Sequence, residues 1–367
     1  MKTRITACIL CTAVLASMLT ACGSSTVETA AEEPAAAQQE TAQIQAQGKC
    51  YYSYFDTVSY IYSYAGDSAE QFDERCAGAS AVLGEYHQLF DIYHEYTGIN
   101  NLCTVNRNAG GDPIEVDRKL VDFLLYAREL YELTDGEMNV MMGAVLSIWH
   151  EHREAASDAP DNASVPEITE LEAAAGHIDF SLLEIDEEAC TVRITDPQAS
   201  IDVGALGKGY ATEKAGQYLE DIGAYSYVLN IGGNIRIVGT KPDGTGWLTA
   251  IRNPNSDDDK EYVLKIRISD TACVTSGVYE NYYTVDGVRY HHIIDRDTLY
   301  PSLYYSSLTV ITDDSGLADA LSTALFCMDY ETGRELAESL DGVEILWVFP
   351  NGEFKYTSGF GDLIEVI

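Results

Sequence analysis

Alternating and helically spaced apolar residues divide the chain into predicted strands and helices. Period-two alternation of Tyr, Ser, Val and Ile predicts a strand over Tyr51–Tyr64. Apolar side chains recur at three- and four-residue steps over Asp67–Tyr93 and Asp117–Leu133, which predicts two helices. The other predicted helices span Lys208–Ile222, Leu317–Met328 and Glu331–Leu340.

The second half of the sequence is dominated by short strands at hairpin spacing. These strands are predicted at Tyr227–Ile231, Ile235–Gly239, Trp247–Ile251, Tyr262–Ile268, Tyr282–Val285, Tyr290–Ile294, Ser306–Ile311 and Val343–Phe349. The segment Arg153–Pro166 contains two prolines and several small polar residues, which predicts an exposed loop. Hairpin-spaced strands with helices in blocks predict an α+β fold of antiparallel sheets packed with helices.

The N-terminus has the pattern of an export signal. Lys2 and Arg4 precede an apolar run, Ile5–Leu19, that is too short for a stable membrane span. The run ends in Leu-Thr-Ala-Cys22, which resembles the lipobox of bacterial lipoproteins. We therefore expect a signal peptide over residues 1–21 and lipidation of Cys22, which would anchor the protein on the extracytoplasmic side of a bacterial cell membrane. An ordinary signal peptide with a chance Cys is the alternative.

A low-complexity segment follows the lipobox. Residues 22–49 are rich in Ala, Gln, Glu, Ser and Thr and contain no aromatic residue, which predicts a flexible tether between the anchor and a globular domain over 50–367. An alanine-rich helix is the alternative. The six cysteines from Cys50 onward contain no C-x-x-C pair, so we expect buried free thiols.

Charge limits the classes of ligand. The 367 residues include 22 Lys and Arg against 59 Asp and Glu, a formal charge of −37. This excess of acid argues against nucleic-acid binding, because a polyanion would meet a repelling surface. A phosphorylated ligand would require a local cation.

Two glycine-containing segments are candidates for ligand binding. In Ile201–Ala211 a short apolar strand leads through a glycine-rich turn into a helix, an arrangement that points backbone N–H groups at a phosphate. Lys208 adds a positive charge there, although the spacing is not that of a Walker or G-x-G-x-x-G motif. Phosphate binding and a tight structural turn both remain open. The polar, glycine-ended segment Asn106–Gly111 fits a ligand loop or a turn equally well.

Two further segments carry metal-binding or acid–base groups. Asp319 and Thr323 lie four residues apart on a predicted helix, so they offer two hard oxygen ligands to Mg²⁺ from one face. An N-terminal Asp favoured by the helix dipole is the alternative. His291 and His292 are adjacent on a predicted strand, so their side chains face opposite sides and only one can line a site.

Six segments in order resemble the ApbE family, the FAD:protein FMN transferases. They are Asn106–Gly111, Asp202–Ala211, Asn230–Asn234, Thr275–Gly277, His291–Asp295 and Ala318–Leu321. The resemblance implies a T-fold-like α+β domain with an elongated FAD cleft. It also implies Mg²⁺-dependent transfer of FMN from FAD to a Thr or Ser hydroxyl of a flavoprotein, with release of AMP. The implied acceptors are subunits of Rnf-type or sodium-translocating membrane redox complexes, or exported flavin reductases.

The resemblance also assigns roles to individual residues. Asp319, Thr323 and the carbonyl of Gly207 would bind Mg²⁺ or Mn²⁺, and His292 and Asp319 would be the catalytic groups. The residues implied to bind the cofactor are Phe55, Tyr93, His94, Glu95, Asn139, Gly204, Lys208, His292 and Ile293. The sequence departs from the usual residues of the family at Phe55, Asn139, Gly207, Arg296 and Leu299.

Two other functions remain open at this point. Water as the acceptor would give an FAD pyrophosphatase that releases FMN and AMP, and exclusion of water from the site distinguishes the two enzymes. A lipid-anchored protein that binds flavin without chemistry would also fit the N-terminal segments.

Overall fold

The computed structural model describes residues 46–256, 258 and 261–365. In chain order the strands are β1 (Gln47–Tyr54), β2 (Thr57–Ser63), β3 (Ile114–Glu115), β4 (Leu183–Asp186), β5 (Thr191–Ile194), β6 (Tyr227–Ile231), β7 (Asn234–Val238), β8 (Trp247–Arg252), β9 (Tyr262–Ile268), β10 (Ala272–Gly277), β11 (Tyr283–Val285), β12 (Val288–Tyr290), β13 (Ser307–Thr312), β14 (Glu344–Val348) and β15 (Phe354–Tyr356). Eight of them form one antiparallel sheet in the order β1-β2-β6-β7-β10-β13-β14-β15. The others form the hairpins β8–β9 and β11–β12 and a small sheet ordered β3-β5-β4.

The helices start at polar capping residues in most cases. They are α1 (Ala69–Phe90), α2 (Leu102–Arg107), α3 (Arg118–Leu133), α4 (Gly143–Asp158), α5 (Ile168–Ala175), α6 (Gly207–Asp221), α7 (Ser315–Cys327) and α8 (Tyr330–Ser339). Ser68 forms a capping box with Gln71 at the start of α1. At the start of α7, the Asp314 carboxylate accepts hydrogen bonds from the N–H groups of Gly316 (2.6 Å) and Leu317 (3.0 Å).

The main sheet is covered on both faces, which explains why every residue of β13 is buried. Leu308 and Val310 belong to the main core, which includes side chains of α1, α3, α6 and α7. Ile311 belongs to a second core with Ile251 and Ile266 of the β8–β9 hairpin. β13 accordingly alternates Leu308, Val310 and Ile311 with the small hydroxyl residues Ser307, Thr309 and Thr312, all of them buried.

A third core attaches α4 to the β11–β12 hairpin. Trp149 of α4 stacks on Tyr290 with ring centroids 6.0 Å apart and meets Tyr283 at 6.5 Å. Its Nε1–H donates to the carbonyl oxygen of Leu299 at 2.9 Å. This cluster fixes the chain on both sides of His291 and His292 against α4.

The predicted α+β class with antiparallel sheets and helices is confirmed, and several boundaries differ. The predicted strand at 51–64 is the hairpin β1–β2, whose turn residues Phe55 and Asp56 have φ of 52° and 49°. These values are those of a type I′ turn, for which Phe-Asp is not a recognisable sequence signal. β1 begins at Gln47, so the last residues of the predicted tether belong to the sheet.

Three other predicted elements are corrected. The predicted loop Arg153–Pro166 begins inside α4, which continues to Asp158 because good helix formers precede the first proline. Strand β12 ends at Tyr290, so His291 and His292 lie in a loop rather than on the predicted strand. The apolar residues 201–203 before the glycine-rich turn are not part of a strand.

The described cysteines are all free thiols, but only four of the six have the burial that was expected. Cys76, Cys103, Cys273 and Cys327 are buried, whereas Cys50 and Cys190 are partly exposed. The predicted signal peptide, Cys22 and the tether up to residue 45 lie outside the described residues. Within the described ranges, no helix has both the length and the hydropathy that crossing a membrane requires.

Candidate active site

Asp319 lies buried on α7 and faces the first turn of α6. Its Oδ2 accepts a hydrogen bond from the N–H of Gly209 at 2.8 Å. An added Cβ at Gly209 would lie 2.3 Å from both the Asp319 Cβ and the Ser315 carbonyl oxygen, so this approach requires glycine. Burial raises the pKa of Asp319, and the positive charge of Lys208 opposes that rise.

The surroundings of Asp319 fit a divalent cation. Its carboxylate makes no ion pair with any described residue, and a buried carboxylate without a cation is costly. Thr323 follows one turn later on α7 and is partly exposed, and Gly207 is the first residue of α6. One carboxylate, one hydroxyl and one carbonyl are hard oxygen ligands that would leave positions for phosphate oxygens and water.

The described residues offer no alternative metal site built from ionisable side chains. Within those ranges, no group of three or more His, Cys, Asp or Glu side chains could hold a metal ion. The position of Asp319 also differs from that of a residue favoured by the helix dipole. Asp314 caps α7, and Asp319 is the fifth residue of the helix. The dipole explanation therefore applies to Asp314, and the burial of Asp319 needs another.

The segment Thr275–Gly277 supports α7 from the sheet. The Ser276 hydroxyl bonds the Ser322 hydroxyl at 2.8 Å, and Ser322 in turn donates to the carbonyl oxygen of Asp319 at 2.8 Å. Thr275 bonds Thr309 on the adjacent strand at 2.8 Å. These hydrogen bonds hold the Asp319 turn of α7 against β10.

The glycine-rich segment uses several of its N–H groups internally. The N–H of Gly204 donates to Asp202 Oδ1 at 2.8 Å, and that of Gly207 donates to the Val203 carbonyl at 2.7 Å. Together with the Gly209 bond, this corrects the expectation that these amides are free for a phosphate. Lys208 is partly exposed and makes no ion pair with a described residue, so its side chain is the available cation at this turn.

Asn106 positions the start of the glycine-rich segment. Its Nδ2 donates to the Ile201 carbonyl and its Oδ1 accepts from the Ile201 N–H, both at 2.8 Å. A side-chain amide that makes both bonds to one residue fixes the backbone there. Asn106 therefore supports the neighbouring segment. It lies at the end of α2, and the predicted turn is found at 108–111.

His291 and His292 have different environments. His291 is buried, donates from Nε2 to the Ser302 carbonyl at 2.8 Å and accepts from the Ile293 N–H at 3.3 Å, so it is structural. His292 is partly exposed, and its buried Nδ1 has no hydrogen-bond partner among the described residues. Burial lowers the pKa of His292 to about 3, with further lowering by the charges of Lys208 and Arg153. The imidazole is therefore neutral at physiological pH.

Ile293, Phe55 and Asn139 have mainly structural contacts. The Ile293 side chain is in the main core, so any cofactor contact would come from its backbone. Phe55 lies in the β1–β2 turn with its ring 5.4 Å from that of His87. Asn139 donates from Nδ2 to the Ile178 carbonyl and accepts from the Met141 N–H, both at 2.9 Å. One donor and one acceptor position of its amide remain without a partner among the described residues.

The residues after α1 form one wall of a cavity. Asp91 accepts hydrogen bonds from the N–H groups of Tyr93 (2.7 Å) and His94 (2.9 Å), which fixes the loop. The half-exposed Tyr93 hydroxyl bonds His150 Nδ1 at 3.1 Å. His94 and Glu95 are exposed, and Glu95 pairs with Arg107 at 2.8 Å. Of the three predicted wall residues, Tyr93 therefore lines the cavity.

This cavity lies between the Tyr93 loop, one face of α4 and the start of the glycine-rich segment. Its volume is about 340 Å³, and its lining includes Tyr93, Asn106, Ser147, His150, Glu154 and Asp202. A space of this size accommodates a nucleobase-sized ring. Carboxylates on the wall favour hydrogen-bond donors and repel phosphate.

Sequence reasoning missed two groups that the structure brings to the site. His150 and Arg153 lie on α4, in or next to the segment predicted as a loop. The charge of Arg153 acts on the pKa values of Tyr93 and His292. Positions 143, 147, 150, 151 and 154 line the cavity and recur at helical spacing. This spacing is the sequence signal that predicts a helix here.

A buried ion pair joins α6 to β7 below the site, and its carboxylate also bonds the start of α7. Glu213 Oε2 accepts from Arg236 Nε at 3.0 Å and from the Ser315 N–H at 2.9 Å. Arg236 also donates to Glu220 at 2.6 Å. Since Ser315 is the first residue of α7, this network helps to set the position of Asp319.

A larger cavity lies on the other side of this network, and Glu213 is part of its lining. Its volume is about 460 Å³, and its lining includes Arg118, Asp122, Tyr126, Arg128, Lys214 and Asp314. It contains none of the predicted site residues.

Comparisons with known proteins agree on one family. Residues 55–347 match the model of the ApbE family. The chain is 31% identical over 280 residues to the FAD:protein FMN transferase of Treponema pallidum, covering 72% of this chain and 75% of that protein. It is 28% identical over 342 residues to the Haemophilus influenzae protein of the same name, covering 90% and 94%.

Solved structures give the same result. The structure of the ApbE protein from Thermotoga maritima has a TM-score of 0.76 at 26% identity, covering 88% of this chain and all (100%) of that one. Flavin transferase ApbE from Vibrio cholerae has a TM-score of 0.70 at 26% identity, covering 87% of this chain and 100% of that one.

Proposed function

This chain belongs to the ApbE family, and on that premise we propose that it is an FAD:protein FMN transferase. A Thr or Ser hydroxyl of a target flavoprotein attacks the FMN-side phosphorus of FAD. The new bond joins the hydroxyl oxygen to that phosphorus, and the bond to the AMP phosphate oxygen breaks. AMP leaves, and the hydroxyl proton passes to solvent or to the departing phosphate. Relatives of the same name that align with up to 90% of the chain support this assignment.

The observation that carries the proposal is the buried, unpaired Asp319 carboxylate beside the first turn of α6 and Lys208. In a chain with a net charge of −37, a pyrophosphate needs local cations. We infer that Asp319, Thr323 and the Gly207 carbonyl bind Mg²⁺, with Mn²⁺ as a substitute. When bound, the ion neutralises phosphate charge and polarises phosphoryl oxygens.

The residues of the chain itself mainly align the reactants, which is most of what phosphoryl transfer requires. Lys208 supplies a second positive charge next to Asp319. His292 is a weak base because its pKa is about 3, so we assign its partly exposed imidazole the orientation of the acceptor hydroxyl. This differs from a role in removing the proton before the reaction.

We also propose a location and a class of acceptor. Lipidation of Cys22 would hold the domain on the extracytoplasmic side of the cell membrane, with residues 23–46 as a tether. Acceptors would then be flavoprotein subunits of membrane redox complexes of the Rnf or sodium-translocating type, or exported flavin reductases. The support for this location is the sequence signal at residues 1–22.

Release of AMP tests the proposal. The purified full chain is incubated with FAD and Mg²⁺, with or without a candidate acceptor, and with EDTA as the metal-free control. We expect AMP together with a fluorescent acceptor band on a denaturing gel, and neither product with EDTA. AMP with free FMN and no labelled acceptor would indicate a pyrophosphatase, whereas bound FAD without AMP would indicate a flavin-binding protein.

A further inference from the structure

We propose that Arg153 is a substrate-binding residue whose guanidinium contacts the pyrophosphate of the dinucleotide from α4, while Lys208 contacts it from α6. The identity of the ligand rests on the proposed function. The inference itself rests on the position of Arg153, on its lack of a protein partner and on the charges around it.

The packing of α4 places Arg153 on the helix face that meets the end of β12 and the Tyr93 loop. Trp149 stacks on Tyr290, the last residue of β12, which precedes His292 by two positions. His150 bonds the Tyr93 hydroxyl at the cavity wall. Arg153 follows Trp149 by four residues and His150 by three, so it continues the helix surface between these two contacts.

The electrostatic influence of Arg153 reaches several segments that surround the site. Its charge acts on the pKa values of four groups from four segments, namely Tyr93, His150, Tyr283 and His292. The charge of Lys208 acts on His292 and Asp319. His292 therefore lies within reach of two cations, one on α4 and one on α6.

The Arg153 side chain makes no ion pair or hydrogen bond with any described residue, although acids outnumber bases in the chain by 59 to 22. Many arginines of the described residues do pair with a carboxylate, among them Arg75, Arg107, Arg118, Arg193, Arg236, Arg267, Arg296 and Arg334. A partly buried guanidinium that stays unpaired in such a chain is available to an anionic ligand, and its planar fork matches phosphate oxygens.

The adjacent cavity explains why the phosphate groups belong at these two cations. Asp202 and Glu154 line the cavity, so phosphate there would meet like charge. A ring with hydrogen-bond donors suits that space, and the pyrophosphate attached to it would then lie at the Arg153 and Lys208 end.

Titration of FAD into the full chain tests the proposal. FAD affinity is measured by calorimetry at several NaCl concentrations for the wild type, Arg153→Ala and Arg128→Ala. Arg128 is exposed on α3 at the larger cavity, so its loss removes the same charge elsewhere. We expect Arg153→Ala to weaken FAD binding by about 10-fold or more and to flatten its salt dependence, since charge-assisted hydrogen bonds are strong. Arg128→Ala should bind as the wild type does.

Arg153→Lys and circular dichroism separate binding from folding. Lysine keeps the charge but loses the fork, so we expect partial recovery of affinity. Unchanged FAD affinity in Arg153→Ala, or weaker binding with an unchanged salt slope, would overturn the proposal. If FAD binding depends on Arg153 but the wild type transfers no FMN, only the proposed function is overturned. Wild type that binds no FAD would overturn both.

Discussion

The amide of Gly209 donates a 2.8 Å hydrogen bond to Oδ2 of Asp319, and this bond joins the first turn of α6 to the second turn of α7. The contact brings together two of the segments that carry the family resemblance, although they are far apart in sequence. Because the bond needs a helix position without a side chain, it links the identity of Gly209 to the geometry of the metal ligands.

Gly209→Ala should disrupt this contact. The new Cβ would lie 2.3 Å from the Ser315 carbonyl oxygen and from the Asp319 Cβ, so α6 and α7 must separate. We expect a loss of about 1–3 kcal/mol in unfolding free energy, as for other overpacked sites, together with weaker Mn²⁺ binding. Urea unfolding and electron paramagnetic resonance measure the two effects.

Gly333→Ala is the matched control, because Gly333 also lies in a helix but an added Cβ would meet its nearest neighbour at 3.5 Å. This variant should be neutral or stabilised by up to about 1 kcal/mol. Equal stability of the two variants would contradict the close-approach argument.

Asp319→Ala should remove the metal site. We expect Mn²⁺ binding to disappear and FMN transfer to fall by at least about 100-fold, because a divalent ion contributes several kcal/mol to such transition states. Asp313→Ala removes an exposed carboxylate just before α7 and should retain both properties. Undiminished Mn²⁺ affinity in Asp319→Ala would show that the ion binds elsewhere.

Glu213→Gln tests the buried network beneath the site. Loss of this carboxylate leaves Arg236 with a weaker partner, and a broken buried pair costs about 3–5 kcal/mol when one charge is removed entirely. We expect the unfolding free energy of Glu213→Gln to be lower than that of Glu220→Gln, because Glu220 is the more exposed partner of Arg236. A larger loss for Glu220→Gln would reverse this ranking of the two carboxylates.

His292 should stay neutral in the folded chain down to about pH 5. Its pKa is lowered from 6.5 to about 3, so between these values the unfolded chain binds the proton more readily than the folded chain does. Stability from this group is therefore present above pH 6.5 and lost as pH falls toward 3. We expect His292→Gln to lose less stability than the wild type between pH 7 and about pH 4. An imidazole NMR titration near pH 6.5 in the wild type would contradict the buried, cation-flanked position.

The sequence pattern predicted most elements of the main sheet and the helices around it. Strand Tyr227–Ile231 of the main sheet and strand Tyr262–Ile268 of the β8–β9 hairpin have the predicted bounds, because their alternation reflects burial on one face. The β1–β2 turn was missed because its left-handed residues are Phe and Asp. Helix α4 was not predicted, and its last residues were assigned to a loop because of the prolines beyond it.

The candidate site was predictable where a residue type is unusual for its position. Asp319 in an apolar helix and Lys208 in a glycine-rich turn are of this kind, and the structure brings them together. Arg153, Glu213 and Arg236 are ordinary residues on amphipathic helices or strands, and their importance comes from partners that are distant in sequence. Periodicity reports which face is buried but not which side chains meet across it.

Intact-mass analysis of an acceptor flavoprotein tests the central claim most directly. The acceptor is incubated with FAD, Mg²⁺ and the full chain, alongside an acceptor variant in which the receiving Thr or Ser is replaced by Ala. The account predicts that the unmodified acceptor gains the mass of one FMN moiety, that the Ala variant gains none, and that EDTA or Asp319→Ala abolishes the gain. FAD consumption with no mass change on any acceptor hydroxyl would contradict it.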